Sequence, residues 1–156
     1  MDAIDRKILT LLQKDASISL AKLAAQVNLT TTPCWKRVQR LERDGYITKR
    51  VVLVAPEKIN LKQAVLVTVK TAGLSEEVAR RFVAEVSAMP QVMEFYQVDD
   101  EDEYVMRVIA ADRDAYNAFQ KQLVSDYQLK NVTPHFITQS IKTTTAYPVP
   151  PATGRK

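Results

Sequence analysis

The stretch that most constrains this chain runs Thr30-Thr31-Thr32-Pro33-Cys34-Trp35-Lys36-Arg37-Val38-Gln39-Arg40-Leu41-Glu42-Arg43. Read as a helix, it puts Cys34, Val38 and Leu41 at i, i+4 and i+7, a narrow apolar stripe. The opposite side carries Thr32, Trp35, Lys36, Gln39, Arg40 and Arg43. Such a helix anchors through one face and offers hydrogen-bond donors and cations on the other. That outer face suits a DNA major groove, where Arg reads guanine edges, Gln pairs with adenine, and Lys or Thr holds phosphate. The competing reading is a solvated basic face.

The flanks supply the anchor. A first helix over about 2–14 gathers Ile4, Ile8, Leu11 and Leu12, with Asp2 or Asp5 at its start. Ser19 caps a second, whose stripe is Leu20, Leu23, Ala24 and Val27. Asn28-Leu29 makes a tight turn into the third helix, which Thr30 or Thr32 can cap and Gly45 ends. Two helices joined by a tight turn after a third read as a helix-turn-helix. A strand is expected over Tyr46–Val54, with Lys49 and Arg50 as a basic wing, and Ala55-Pro56-Glu57 breaks it.

A different rhythm follows. Val65, Val67 and Val69 alternate along a strand of about 62–72. Ser75 caps a helix lined by Val78, Ala79, Phe82, Val83 and Val86, which Pro90 stops. Strands follow from Val92 and from Tyr104, separated by the acidic turn Asp99–Glu103. Asp112 or Asp114 opens a second helix, and Val132–Thr143 reads as a last long strand. The order β-α-β-β-α-β is the ferredoxin-like pattern, in which two helices cover one sheet face and leave the other in need of a lid; a second copy is the simplest one. The fold class is therefore α+β: a winged helix-turn-helix over 1–55, a hinge at 56–60, a ferredoxin-like sandwich over 61–146 and a proline-rich tail over 147–156 that is expected to be extended or disordered.

Charge divides along the same line. Residues 1–55 hold ten basic and five acidic residues, residues 56–145 ten and thirteen, so a net +5 lies ahead of a net −3. That split fits one module that meets phosphate and one that does not. One Cys and one His leave no internal disulfide and little metal chemistry, and no metal site or cofactor is expected. Gly45, Gly73 and Gly154 are the three glycines, so no Gly-rich phosphate loop exists, and nothing points to an enzyme. No apolar run reaches the roughly 20 residues of a membrane span, and no leader is evident, so a cytoplasmic, nucleoid-associated protein is expected.

Taken in order and spacing, Ile4-Asp5-Arg6-Lys7-Ile8-Leu9, Leu23-Ala24, Val27-Asn28-Leu29-Thr30, Pro33-Cys34-Trp35-Lys36-Arg37-Val38, Arg40-Leu41-Glu42, Asp44-Gly45-Tyr46-Ile47, Tyr104-Val105-Met106-Arg107-Val108 and Ile141-Lys142-Thr143-Thr144 resemble the leucine-responsive regulatory protein/AsnC family of transcription regulators over nearly the whole chain. The resemblance implies binding of promoter DNA, dimers that assemble as tetramers of dimers, and a ferredoxin-like (RAM) domain that senses amino acids between dimers. The candidate DNA contacts are Thr30, Thr31, Thr32, Trp35, Lys36, Arg37, Gln39, Arg40, Arg43, Lys49 and Arg50. Trp35 is equally suited to packing against the first helix. Cys34 is either a redox switch or a small buried residue. The candidate effector residues are Asp99, Asp100, Glu101, Glu103, Tyr104, His135 and Phe136. Asp100 stands where the family pattern carries a glycine that allows close backbone approach to a ligand. An exposed hairpin turn, an altered pocket and a divalent-cation site all remain readings of this acidic run. The alternatives for the whole chain are a sequence-tolerant architectural DNA-binding protein, an effector-independent regulator, and a stand-alone small-molecule sensor or enzyme built on the C-terminal domain, whose N-terminal module recruits a protein.

Overall fold

The computed structural model describes residues 1–98 and 102–151. Helix α1 (Ala3–Lys14) begins in a reciprocal cap: the Asp5 N–H donates to Asp2 Oδ1 at 2.8 Å, and the Asp2 N–H donates to Asp5 Oδ2 at 3.0 Å. Helix α2 (Leu20–Gln26) is capped by Ser19, whose hydroxyl accepts from the Lys22 N–H. Asn28 takes φ 57°, in the left-handed region that Asn tolerates, and turns the chain into α3 (Thr31–Arg43). Thr30 is the cap residue, but its side chain makes no capping bond. Gly45, at φ 76°, lets the Tyr46 N–H fold back onto the Leu41 carbonyl at 2.9 Å and closes the helix. Ile8, Leu23, Ala24, Val27, Cys34, Val38 and Leu41 form the buried core of this three-helix head.

The strand expected over Tyr46–Val54 is not formed. Residues 48–55 carry no strand, and Val52 and Leu53 are 88% and 69% exposed. The β-branched pattern is present, but a strand also needs a second backbone to pair with, and within one chain this segment has none. A short 3₁₀ turn, Pro56–Ile59, follows and ends at Asn60 with φ 62°.

The second unit holds β1 (Gln63–Lys70), α4 (Glu76–Ser87), β2 (Val92–Gln97), β3 (Glu103–Ala110), α5 (Arg113–Tyr127) and β4 (Asn131–Phe136). Ser75 and Asp112 cap the two helices. The strands run in the order β2-β3-β1-β4, every neighbouring pair antiparallel. Alternation places Val65, Val67, Val69, Tyr104, Met106 and Val108 on the helix-covered face. Phe82 of α4 sits at its centre, edge-on to Tyr127 at 5.2 Å, Tyr104 at 5.7 Å and Phe95 at 5.8 Å. The opposite face carries Leu66, Tyr96 and His135, all exposed, and the Arg107–Glu94 ion pair at 2.7 Å.

The last strand is shorter than Val132–Thr143. Its final pair is Phe136 with Val65, after which one more bond, Ile137 N–H to Ala64 carbonyl at 3.0 Å, exhausts the start of β1. Pro134 is tolerated because β4 is an edge strand. The chain divides into two compact units, Val54–Ser140 and a head in which Met1–Leu53 is joined by the segment beginning at Ile141. Residues 147–151 form no helix or strand, as an extended tail requires, and two of them are bonded to α1. Gln13 of α1 accepts from the Tyr147 N–H at 2.7 Å and donates to its carbonyl at 3.2 Å, and Arg6 donates to the Pro150 carbonyl.

Candidate nucleic-acid interface

Helix α3 turns its apolar stripe fully inward: Cys34, Val38 and Leu41 are 0%, 5% and 1% exposed. The opposite face opens into a shallow concavity lined by Trp35, Lys36, Arg37, Gln39, Arg40 and Arg43. Trp35 is half exposed on this face. Thr30, Thr31, Thr32, Lys36 and Gln39 are exposed on the same helix, and Lys49 and Arg50 on the segment after it.

The cations are not equivalent. Arg37 is held by two carboxylates, Asp2 at 2.6 Å and Asp5 at 2.8 Å, and its side chain is 26% exposed. Arg40 gives one nitrogen to Asp5 at 2.6 Å and stays 44% exposed. Arg43 pairs with Asp44 at 3.1 Å. Glu42 takes both Arg50, at 3.0 Å, and the Gln39 amide, at 3.1 Å. No acid among the described residues pairs with Lys36. The basic face is thus a mixture of locked, half-offset and free charges. The acids that set it, Asp2 and Asp5, lie more than thirty residues away in sequence. Their capping role was legible in the sequence; nothing local signalled that the same carboxylates hold α3. The Asp5 backbone N–H, and after it Arg37, draw the Asp2 carboxyl down to about 2.

Cys34 is a buried free thiol, and burial pushes its pKa up, which keeps it protonated and unreactive. The redox reading therefore has no support in its surroundings.

The four expected effector residues that the structure describes, Glu103, Tyr104, His135 and Phe136, are divided between the two faces of the sheet. Asp99, Asp100 and Glu101 lie outside the described residues. Tyr104 is 8% exposed and packs its ring into the core against Phe82 and Phe95. Phe136 faces the helices too, under the Arg113 guanidinium at 4.0 Å and beside Tyr116 at 5.2 Å. Glu103, paired with Lys70 at 3.0 Å, and His135 fall on the other face, because neighbours along a strand alternate. Among the described residues no cluster of His, Cys, Asp or Glu could hold a metal ion, and no helix is long and apolar enough to cross a membrane.

A three-helix head with an exposed cationic third helix, followed by a βαββαβ sandwich, defines a winged helix-turn-helix transcription regulator with an appended ligand-binding domain. Residues 1–48 match the winged helix-turn-helix DNA-binding family, and residues 64–147 match the Lrp/AsnC ligand binding domain. The chain belongs to the Lrp/AsnC family of DNA-binding transcription regulators, a family of regulators and not of enzymes. It is 47% identical to the DNA-binding transcriptional activator DecR of Escherichia coli over 96% of its own length and 99% of the relative's. An AsnC family transcriptional regulator from Agrobacterium tumefaciens superposes with a TM-score of 0.88 at 43% identity, covering 95% of this chain and 97% of that one. A transcriptional regulator from Neisseria meningitidis, solved as a complex with L-Met, superposes with a TM-score of 0.89 at 26% identity, covering 95% and 96%.

Proposed function

We propose that this protein is a sequence-specific regulator that lays α3 in the major groove of promoter DNA. Trp35, Lys36, Gln39 and Arg40 meet bases and backbone there. Thr30, Thr31, Thr32 and Arg43 hold the flanking phosphates, with Lys49 and Arg50 reaching the next stretch of backbone. Arg37 acts from behind, as a clamp. The single observation that carries this reading is the cationic face of α3, exposed along its length while the stripe beneath is sealed.

The functional unit in this proposal is a homodimer, and pairs of reading helices select pseudo-palindromic sites. Two features support self-association: the open sheet face bearing Leu66 and Tyr96, and the unpaired apolar segment Val51-Val52-Leu53-Val54. Either would gain from a second copy, since exposed apolar surface and unpaired strands seek cover. Assembly into tetramers of dimers and modulation by an amino acid belong to the same proposal. The L-Met complex of the Neisseria relative supports the effector class, and a regulator bound to DNA acts in the cytoplasm. Selection of bound fragments from random DNA, repeated with each amino acid and followed by sedimentation, tests all of it. The expected result is an enriched two-fold motif whose occupancy changes with one effector. Equal retention of unrelated DNA at fixed salt would instead support a sequence-tolerant architectural protein.

A further inference from the structure

A carboxylate with no exposed surface needs a reason, because burying a charge is costly unless it is fully paired. Asp5 is 0% exposed. Helix capping does not explain it, since an acid at that position completes the reciprocal cap equally well from the surface. Its oxygens are divided between two helices. Oδ1 accepts from Arg37 at 2.8 Å, while Oδ2 accepts from Arg40 at 2.6 Å and from the Asp2 N–H at 3.0 Å.

We propose that Asp5 is a positioning residue for DNA recognition, fixing Arg40 of α3 so that its remaining N–H groups are presented to a base edge. The proposal rests on the assignment of α3 as the DNA-contacting helix and names how one of its side chains gains specificity. The two arginines differ in what they have left to give. Arg37 is clamped between Asp2 and Asp5 and is 26% exposed, so it serves as the fixed end of the network. Arg40 gives a single nitrogen to Asp5 and is 44% exposed, and a guanidinium carries five N–H donors. An arginine free on a helix surface spreads over many rotamers. One held from behind by a carboxylate keeps its planar fork in one orientation, which bidentate contact with guanine requires.

The charge balance sharpens the claim. Two acids, Asp2 and Asp5, offset two arginines within the network, so it adds little to the general attraction for phosphate. Its contribution falls on discrimination between sequences. A merely structural Asp5 would lower stability and both kinds of DNA affinity together.

The test uses the full-length chain, a duplex enriched from random DNA by the wild type, and an unrelated duplex of equal length. Asp5→Asn is expected to weaken binding to the enriched duplex about ten-fold or more while holding the unrelated duplex within about two-fold. Arg40→Ala should show the same loss, and the double variant should lose no more than Arg40→Ala alone. Arg40→Lys, which keeps the charge without the fork and leaves the α1 cap intact, should also lose the preference; it carries the test if Asp5→Asn fails to fold. A full preference retained by Asp5→Asn or by Arg40→Lys, or additive losses in the double variant, would overturn the role of Asp5 alone. A wild type that enriches no sequence would overturn the DNA reading and this inference with it.

Discussion

The two units of this protein are held together by different chemistry. Among the described residues the head closes on seven buried residues, none aromatic, and on a charge network linking α1 to α3. The sheet unit closes on thirteen buried residues that include Phe82, Tyr104, Tyr116 and Tyr127. The contrast follows from their tasks. A module that meets a polyanion must keep its cations in solvent, which limits the core it can build, and it recovers order by pairing some of those cations internally. The sheet unit, which matches a ligand binding domain, has no polyanion to meet and can sink its aromatics into its core.

The largest test of that contrast is Phe82→Ala. It removes a ring with three aromatic partners and should cost the sheet unit about 3–5 kcal/mol. Because Trp35 is the sole tryptophan and lies in the head, its fluorescence in a urea titration should keep its wild-type midpoint while far-UV ellipticity shifts to lower urea. A Trp35 transition that moves equally would show that the two cores melt as one.

The units should also fail at opposite ends of the pH scale. Asp2 is drawn below its ordinary value to about 2, so the stability it gives the head is present above pH 4 and is lost as pH falls toward 2. Tyr127 is pushed up to about 12 by burial and then by its bond to Glu85, and Tyr116 to about 12 by burial. A tyrosine ionises near pH 10 when unfolded, so the stability these two give the sheet unit is present below about pH 10 and fades as pH rises to 12. Thermal melts followed by Trp35 fluorescence in acid and by tyrosinate absorbance in alkali check both arms. Equal sensitivity of both units at either extreme would break the comparison.

A smaller effect tests how far the head extends. Gln13→Ala removes the two-way bond to the Tyr147 backbone and should lower the head's stability by roughly 0.5–1.5 kcal/mol, with faster hydrogen exchange at the Tyr147 amide. Unchanged exchange would mean that the tail contributes nothing to the head.

What the sequence disclosed and withheld follows the range of the interactions. Ser19, Ser75 and Asp112 cap helices through bonds spanning three residues, and the stripe of Cys34, Val38 and Leu41 repeats within one helix, so all were legible locally. The alternation of Val65, Val67 and Val69 was legible for the same reason. The Asp5 network joins residues 32 and 35 apart, and the Gln13–Tyr147 bond joins residues 134 apart; no local pattern encodes either. Tyr46–Val54 misled because its β-branched run is a real propensity without a partner within one chain. Which side of the sheet Glu103, Tyr104, His135 and Phe136 each face was not legible either, because spacing along β3 and β4 does not reveal it until the register is known.

The central claim is that the outer face of α3 touches DNA, and Lys36 and Gln39 test it most directly because both are exposed and neither supports the core. The measurement is a titration of the full-length Lys36→Ala/Gln39→Ala variant against the wild-type-enriched duplex at two salt concentrations, with circular dichroism and sedimentation as controls. The expected result is an affinity at least about ten-fold weaker and a shallower salt dependence, with fold and assembly unchanged. Wild-type affinity with wild-type salt dependence would contradict the account.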